Sequence, residues 1–357
     1  MTLVDATQAA AARGTAAARA TGAAPVPQRR RRVIGMVAAL AVLIVLMVLS
    51  VMVGSTAIPV TVVWDALVNP SSDPDQFAIR DFRLPRTIVG LVVGVALGLS
   101  GALIQALIRN PLADPGVLGV HAGSSFAVTV AVGLLGVREA QGYMWFAFAG
   151  ALIVTLLVLA LGSTRKGSSP VVMVLAGVCV GAVLGGAREA LQLTNPDAFD
   201  AMRYWNAGSI TGRPLDVLWP ILLFFAVALL LAFAVSGPLN ALALGEELAR
   251  AQGVHLARTR VLAVIALTFL AGGATAIAGP IGFVGLMVPH VARWIVGPDQ
   301  RWIFAYSVLL APSLLLASDI LGRVVMRPGE IPVGIVTAFV GAPVLIVLVR
   351  RKKASGL

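Results

Sequence analysis

Long apolar runs separated by short polar breaks dominate this chain. Ten runs are candidates for crossing a bilayer: residues 33–53, 87–107, 117–135, 143–161, 171–193, 217–235, 261–279, 282–296, 302–319 and 331–349. A helix rises about 1.5 Å per residue, so roughly 20 residues cover the hydrocarbon layer. Lipid offers no partner to an unpaired backbone group, which leaves helices as the natural spanning element for such runs. The pattern predicts an all-α integral membrane domain of ten transmembrane helices over residues 33–350. Residues 1–32 are rich in Ala, Thr and Arg without apolar periodicity, and are expected to form a disordered, basic, cytoplasmic extension. Residues 351–357 form a basic tail. The run at 33–53 is of span length, which disfavours a cleaved signal peptide.

One stretch breaks the pattern by being too polar. Between the sixth and seventh runs lies Leu244-Gly245-Glu246-Glu247-Leu248-Ala249-Arg250-Ala251-Gln252-Gly253-Val254. Gly245 is suited to an N-cap, Glu246 and Glu247 sit in a first turn, Arg250 follows Glu246 by four, and Gly253 can close the end. So short a helix is marginal alone and needs a partner to pack on. Either a separate ATP-hydrolysing subunit supplies that partner, or the stretch is a solvated loop.

Two further segments carry helix-breaking residues. Asn110-Pro111-Leu112-Ala113-Asp114-Pro115-Gly116 follows the second run. Gly279, Pro280, Gly282, Gly285 and Pro289 interrupt the chain at membrane depth. Irregular backbone there is tolerated inside protein or along a cavity, and points to a pathway or a moving joint. Close helix packing through glycine is the other reading.

Composition agrees with a membrane protein: 59% hydrophobic, 12% charged, mean hydropathy +0.94. The net charge of +11 suggests nucleic acid only until the positions are considered. Arg29 to Arg32 precede the first run and Arg350 to Lys353 follow the last. Under alternation from a cytoplasmic N-terminus, 18 of the 27 Lys and Arg fall on the cytoplasmic side. Both termini are therefore expected in the cytoplasm. Cys179, the single cysteine, lies in an apolar run and is expected to be a small core residue.

The titratable residues limit the chemistry. None of the 16 acids lies near the middle of a predicted run; Asp319 is expected to end the ninth. This argues against proton or sodium coupling and against catalysis by paired carboxylates or carboxylate-held magnesium. His121, His255 and His290 show no metal-ligand spacing and read as structural residues. Gly162-Ser163-Thr164-Arg165-Lys166-Gly167 lacks the spacing of a phosphate-cradling loop. Active transport would then require ATP hydrolysis on another chain. A membrane-embedded enzyme and an ion-coupled transporter are the readings of a different class.

Arg80, Arg83, Arg86, Arg323 and Arg327 fall on the extracytoplasmic side. Pro85 is suited to begin a helix, which would place Arg86 at an N-terminus disfavoured for cations. Arginine binds carboxylates bidentately, so an acidic partner from outside would account for the arrangement, as would a rim in contact with lipid phosphate. Glu330, before Ile331-Pro332, is expected to serve as helix-end chemistry.

Six ordered stretches together resemble the FecCD-type permease family, the membrane subunits of type II ABC importers for iron–siderophore complexes, haem and cobalamin. They are Arg83-Leu84-Pro85-Arg86; Gly101 to Gln105 with Arg109 to Pro115 and Leu118-Gly119; Trp205 to Ser209; Leu244 to Val254; Gly279 to Leu286 with Pro289-His290 and Arg293; and Glu330 to Gly334 with Gly341-Ala342-Pro343. The resemblance covers about residues 35–350. It implies the type II importer permease fold, with a second permease subunit, identical or homologous, sharing a central path. It also implies two ABC ATPase subunits carrying ATP and Mg on the cytoplasmic face, with no cofactor or metal in this chain. Gly245, Glu246, Glu247, Ala249, Arg250 and Gly253 match the family's ATPase-coupling helix. Arg83, Arg86 and Arg323 match arginines that receive an extracytoplasmic substrate-binding protein. Arg323 is placed by its offset of four from Asp319; Met326-Arg327-Pro328-Gly329 departs from the family pattern, and Arg327 is the substitute. The expected location is the bacterial inner membrane, among lipid, with no nucleic-acid partner and no enzymatic activity. Iron–siderophore is the first expectation for cargo, with haem and cobalamin behind it.

Overall fold

The computed structural model describes residues 28–351, apart from 55, 57, 70, 72, 165, 166 and 169. The helices are α1 (Gln28–Met52), α2 (Val60–Val68), α3 (Pro74–Phe77), α4 (Leu84–Ile108), α5 (Val120–Gly133), α6 (Ala140–Gly162), α7 (Pro170–Thr194), α8 (Pro196–Trp205), α9 (Trp219–Ala243), α10 (Glu246–Ala251), α11 (Leu256–Ala278), α12 (Val284–Val296), α13 (Gln300–Val325) and α14 (Val333–Arg351). Among the described residues the only strand pairing is a two-residue antiparallel hairpin, Ser163–Thr164 with Gly167–Ser168.

Each of the ten apolar runs falls on a helix: α1, α4 to α7, α9 and α11 to α14. Seven helical segments are long and apolar enough to cross a membrane. Three apolar helices are shorter: Val120–Gly133, Val284–Val296 and Val333–Val347. Among the described residues, the ten runs thus divide into seven helices of span length and three shorter apolar ones.

Three boundaries differ from expectation. Helix α1 begins at Gln28, so Arg29 to Arg32 are helical and not part of a disordered extension; residues 1–27 and 352–357 lie outside the described residues. Helix α13 runs on through Asp319 to Val325. A continuous helical run begins at Pro74, capped by the Asp73 carboxylate, and passes through a π turn at Ala78–Arg83 into α4. Arg86 is thus not at a helix N-terminus, and the dipole argument for it does not apply.

Helix α4 is the centre of the bundle, packed on α13, α11 and α12. Its small residues permit that approach. A Cβ on Gly94 would lie 2.4 Å from Pro312 Cα, and one on Gly101 1.9 Å from the Gly285 carbonyl oxygen. Backbone contact of this kind is how helices associate where no hydrophobic force separates lipid from protein.

Helices α1 and α7 are peripheral. Among the described side chains, only Ala39, Leu43 and Ser50 are buried on α1, and only Met173 and Gly177 on α7. Cys179 on α7 is exposed, not in the core. Composition marks a run as apolar but does not say whether it faces protein or lipid.

Candidate functional sites: two charged ends and two broken helices

Helix α4 carries a charged cluster at each end, roughly 35 Å apart by helix rise. At its start, Arg83 donates from Nη1 to the Met52 and Val51 carbonyl oxygens at 2.8 and 3.2 Å, and from Nη2 to Thr56 at 2.8 Å. Arg86 grips Asp319 through Nε and Nη2 at 2.6 to 3.1 Å and pairs with Glu330 through Nη1 at 2.6 Å. Arg323, one turn beyond Asp319 on α13, pairs with the same carboxylate. It also donates to the carbonyl oxygens of Ser50 and Val53 at 2.7 and 2.8 Å and to Ser50 Oγ at 2.8 Å. Arg327 is exposed and donates to the Gly54 carbonyl oxygen at 3.1 Å.

Two unmet needs answer each other here. The last carbonyls of α1 have no partner within their own helix. A guanidinium removed from water requires acceptors on its N–H groups, at a penalty of several kcal/mol otherwise. Arg83, Arg86 and Arg323 are only 6%, 7% and 1% exposed, and Asp319 is fully buried. The three arginines expected to face an outside partner are thus inside, with donors engaged. Direct contact by a partner would require them to leave these acceptors. Glu330 is not helix-end chemistry but the second counter-ion of Arg86.

At the far end of α4, Arg109 adopts a left-handed conformation, φ 57°, and closes the helix. Its Nη2 lies 4.0 Å from Glu246. The short polar helix expected from the sequence is present as α10, with Gly245 at its N-cap, φ 112°, and Gly253 turning the chain at φ 80°. Glu246 also pairs with Arg260 at 2.5 Å and Arg250 at 3.8 Å. Ala249 is fully buried and fastens α10 to the bundle, while Leu244 and Leu248 stand 64% and 48% exposed beside Glu247. Leu248 on α10 and Leu244 just before it are exposed apolar side chains beside a charged one.

The two broken segments differ in construction. After Arg109, Asn110 Oδ1 accepts from Leu112 N at 2.9 Å, Pro111 continues the turn, and Asp114 Oδ1 accepts from Gly116 N at 2.8 Å. Asp114 and Pro115 thereby start the 3-10 turn Pro115–Leu118 that leads into α5. His121 Nδ1 then meets Thr275 Oγ1 at 3.0 Å.

The second break spans 279–283. Three motif stretches distant in sequence converge on it. Ser209 N donates to the Ala278 carbonyl at 2.7 Å, and Gly334 N donates to the Gly208 carbonyl at 2.9 Å. Gly279, φ 73°, approaches so closely that a Cβ would lie 2.2 Å from the Trp205 carbonyl oxygen; a Cβ on Gly208 would lie 2.4 Å from that of Pro280. Gly282 meets nothing within contact distance. Gly285 and Pro289 lie inside α12, beyond the break. Pro289 has no N–H for the Gly285 carbonyl, and Gln105 of α4 turns its amide to this turn, donating to Leu286 O at 2.9 Å and Gly285 O at 3.5 Å.

Sequence reasoning missed Asp319, Glu330, Ser50, Arg109, Arg260 and Gln105 as parts of these assemblies. Gln105, Arg109 and Glu330 lay inside the motif stretches, and Asp319 stood at i,i+4 spacing from Arg323. The remaining partners are distant in sequence, and no local pattern links them.

This arrangement defines a polytopic, all-helical membrane protein of permease type, with its charges concentrated at helix ends and an exposed short helix between spans. The chain belongs to the FecCD transport family, whose model matches residues 42–351. It is 48% identical over 330 residues to the ferric enterobactin transport system permease protein FepD of Escherichia coli (strain K12), covering 91% of this chain and 97% of that protein. It is 36% identical over 331 residues to the vitamin B12 import system permease protein BtuC of Citrobacter koseri, covering 91% and 97%. A solved structure described as an inward-facing conformation of a metal-chelate type ABC transporter matches with a TM-score of 0.76 and 29% identity, over 88% of this chain and 98% of that one.

Proposed function

We propose that this chain is the transmembrane permease subunit of an ATP-binding-cassette importer for iron–siderophore complexes. The observation that carries the reading is the 48% identity, over nearly the whole of both chains, to a ferric enterobactin permease. In this reading α10 is the coupling helix. ATPase subunits seat on Leu244, Leu248 and Glu247, bind ATP and Mg on their own residues, and move α10 against Arg109 and Arg260. The arginine end lies on the extracytoplasmic side and receives the extracytoplasmic binding protein. Arg29 to Arg32 and the basic C-terminus lie in the cytoplasm, as the positive-inside rule requires. The exposed face of α7 meets a second permease subunit around the shared path. The break at 279–283, pinned by backbone contacts on one side and open at Gly282, is the joint about which α12 moves.

Cobalamin is the second cargo reading, supported by the 36% identity to a vitamin B12 permease. The test is uptake into proteoliposomes holding the complete transporter, with loaded binding protein outside. Ferric enterobactin, a ferric hydroxamate and cobalamin are compared at equal concentration. ATP-dependent uptake of a ferric siderophore with no uptake of cobalamin is expected; the reverse preference rejects the cargo assignment.

A further inference from the structure

Helices α9 and α11 pack on each other, and α10 joins the end of one to the start of the other. Where they meet lies a cavity of about 320 Å³. Its walls are apolar, with Val235 and Pro238 on α9 and Leu262 on α11, while His255, Arg258 and Thr259 line it at the start of α11. Leu262 follows Arg258 by four residues, so the polar and apolar parts sit about one turn apart along the helix.

The polar part is short of an anion. Arg258 stands in the first turn of α11, at the positive end of the helix, where no acidic residue accompanies it. Arg109, Arg250 and Arg260 share Glu246 nearby. The Arg258 side chain has no ion pair or hydrogen bond among the described residues. His255, at the N-cap, makes no side-chain cap, so the first N–H groups of α11 lack a partner within the helix. Thr259 is only 6% exposed, yet its hydroxyl is unspent. Thr268 and Thr275 on the same helix return theirs to the carbonyl one turn back, at 2.8 and 2.7 Å. Thr259 does not, and its hydroxyl makes no other hydrogen bond among the described residues. A buried hydroxyl left unpaired is costly, and a ligand oxygen in the cavity removes that cost.

The surroundings identify what carries the anion. Helices α9 and α11 are both of span length. Beyond the cavity their exposed residues are apolar: Leu223 and Leu230 on α9, Val261 and Ile265 on α11. Such a face suits acyl chains, and basic cavities between membrane helices take anionic headgroups.

We propose that this cavity is a binding site for an anionic phospholipid. Arg258, His255 and the Thr259 hydroxyl hold its phosphate, and one acyl chain runs along Val235, Pro238 and Leu262. So placed, the lipid ties the end of α9 to the start of α11 beside α10. Binding here depends on neither the cargo nor the docking partner.

The test uses the complete transporter in detergent, stripped of lipid and titrated with phosphatidylglycerol or phosphatidylcholine of matched chains. Native mass spectrometry counts bound lipid, and thermal unfolding reads its effect. One tightly held phosphatidylglycerol per permease subunit is expected, with a rise in unfolding temperature that phosphatidylcholine does not give. Arg258→Gln is expected to weaken phosphatidylglycerol binding at least about tenfold, through loss of a charge-assisted hydrogen bond. Thr259→Val, which keeps the shape and removes the hydroxyl, is expected to weaken it about threefold. Ala234→Trp, at an exposed position of α9 beside the cavity, is expected to fill the groove and displace the lipid. Arg31→Gln, altering an exposed arginine on α1, controls for surface charge and is expected to change affinity by less than about twofold. Unfolding temperatures without lipid check that each variant folds. Undiminished phosphatidylglycerol binding in folded Arg258→Gln and Thr259→Val overturns the site. Equal binding of the two lipids overturns the anionic headgroup. Inorganic phosphate that competes as well as phosphatidylglycerol makes this a free-anion site and overturns the lipid. A photoreactive phenylalanine analogue at position 234 that captures the ATPase subunit in place of lipid gives the groove to that subunit, and overturns the proposal.

Discussion

The two ends of α4 are both charged, and they use charge in opposite ways. At the start of the helix, Arg86, Arg323 and Asp319 are buried, their donors and acceptors spent on one another and on the end of α1. At the far end, Glu246 meets Arg109, Arg250 and Arg260 with all four side chains partly in solvent. Ion pairs of the first kind are costly to break from one side, because the survivor is a buried, unpaired charge. Those of the second kind are weak and adjustable. A buried cluster at one end and a half-exposed one at the other give the two ends of α4 different resistance to change.

The largest test of this contrast is Asp319→Asn. It leaves Arg86 and Arg323 without their shared counter-ion, and a loss of about 3–5 kcal/mol is expected, seen as a sharp fall in unfolding temperature in detergent. A variant as stable as the parent would show that the cluster does not hold α1 and α13 together. Next is Leu248→Asp, which puts a charge on the exposed leucine of α10. Co-purification of the ATPase subunit should fall at least about tenfold, an effect of roughly 1.4 kcal/mol or more, with the permease itself unfolding at its normal temperature. Retention of the ATPase at full stoichiometry would place its contact elsewhere.

Glu246→Gln sharpens the comparison from the weaker side. It removes the shared partner of three arginines at a site about one third exposed. A stability loss of about 0.5–1 kcal/mol is expected, with a larger fall in binding-protein-stimulated ATP hydrolysis and recovery in Glu246→Asp. The smallest effect belongs to Arg250→Ala, whose pair with Glu246 is 3.8 Å long and mostly exposed. It should change stability by less than about 0.5 kcal/mol. A destabilisation from Arg250→Ala as large as that from Asp319→Asn would erase the distinction between the two ends.

Much of the architecture was legible because lipid makes the rule simple. Runs such as 171–193 and 261–279 are apolar enough to announce a helix, and α10 announced itself by being too polar between two of them. Gly245, the Glu246–Arg250 spacing and Gly253 are local signals, read within one turn, and each has the role its position predicted. The outer cluster was not legible in the same way. Arg83, Arg86 and Arg323 were found by motif, but their burial depends on Ser50, Asp319 and Glu330, which lie up to 273 residues away. The reading of Asp319 as a helix end failed because a predicted boundary stopped six residues short of Val325, where the apolar pattern fades although the helix continues. Cys179 failed for the complementary reason: apolar character is shared by residues facing protein and residues facing lipid.

The central claim is that this permease has no motor of its own and is worked through α10. The most direct measurement is uptake of a ferric siderophore into proteoliposomes, with loaded binding protein outside and ATP inside, with and without the ATPase subunits. Accumulation against the gradient is predicted only when the ATPase subunits and ATP are both present. Uphill accumulation by the permease alone would contradict it.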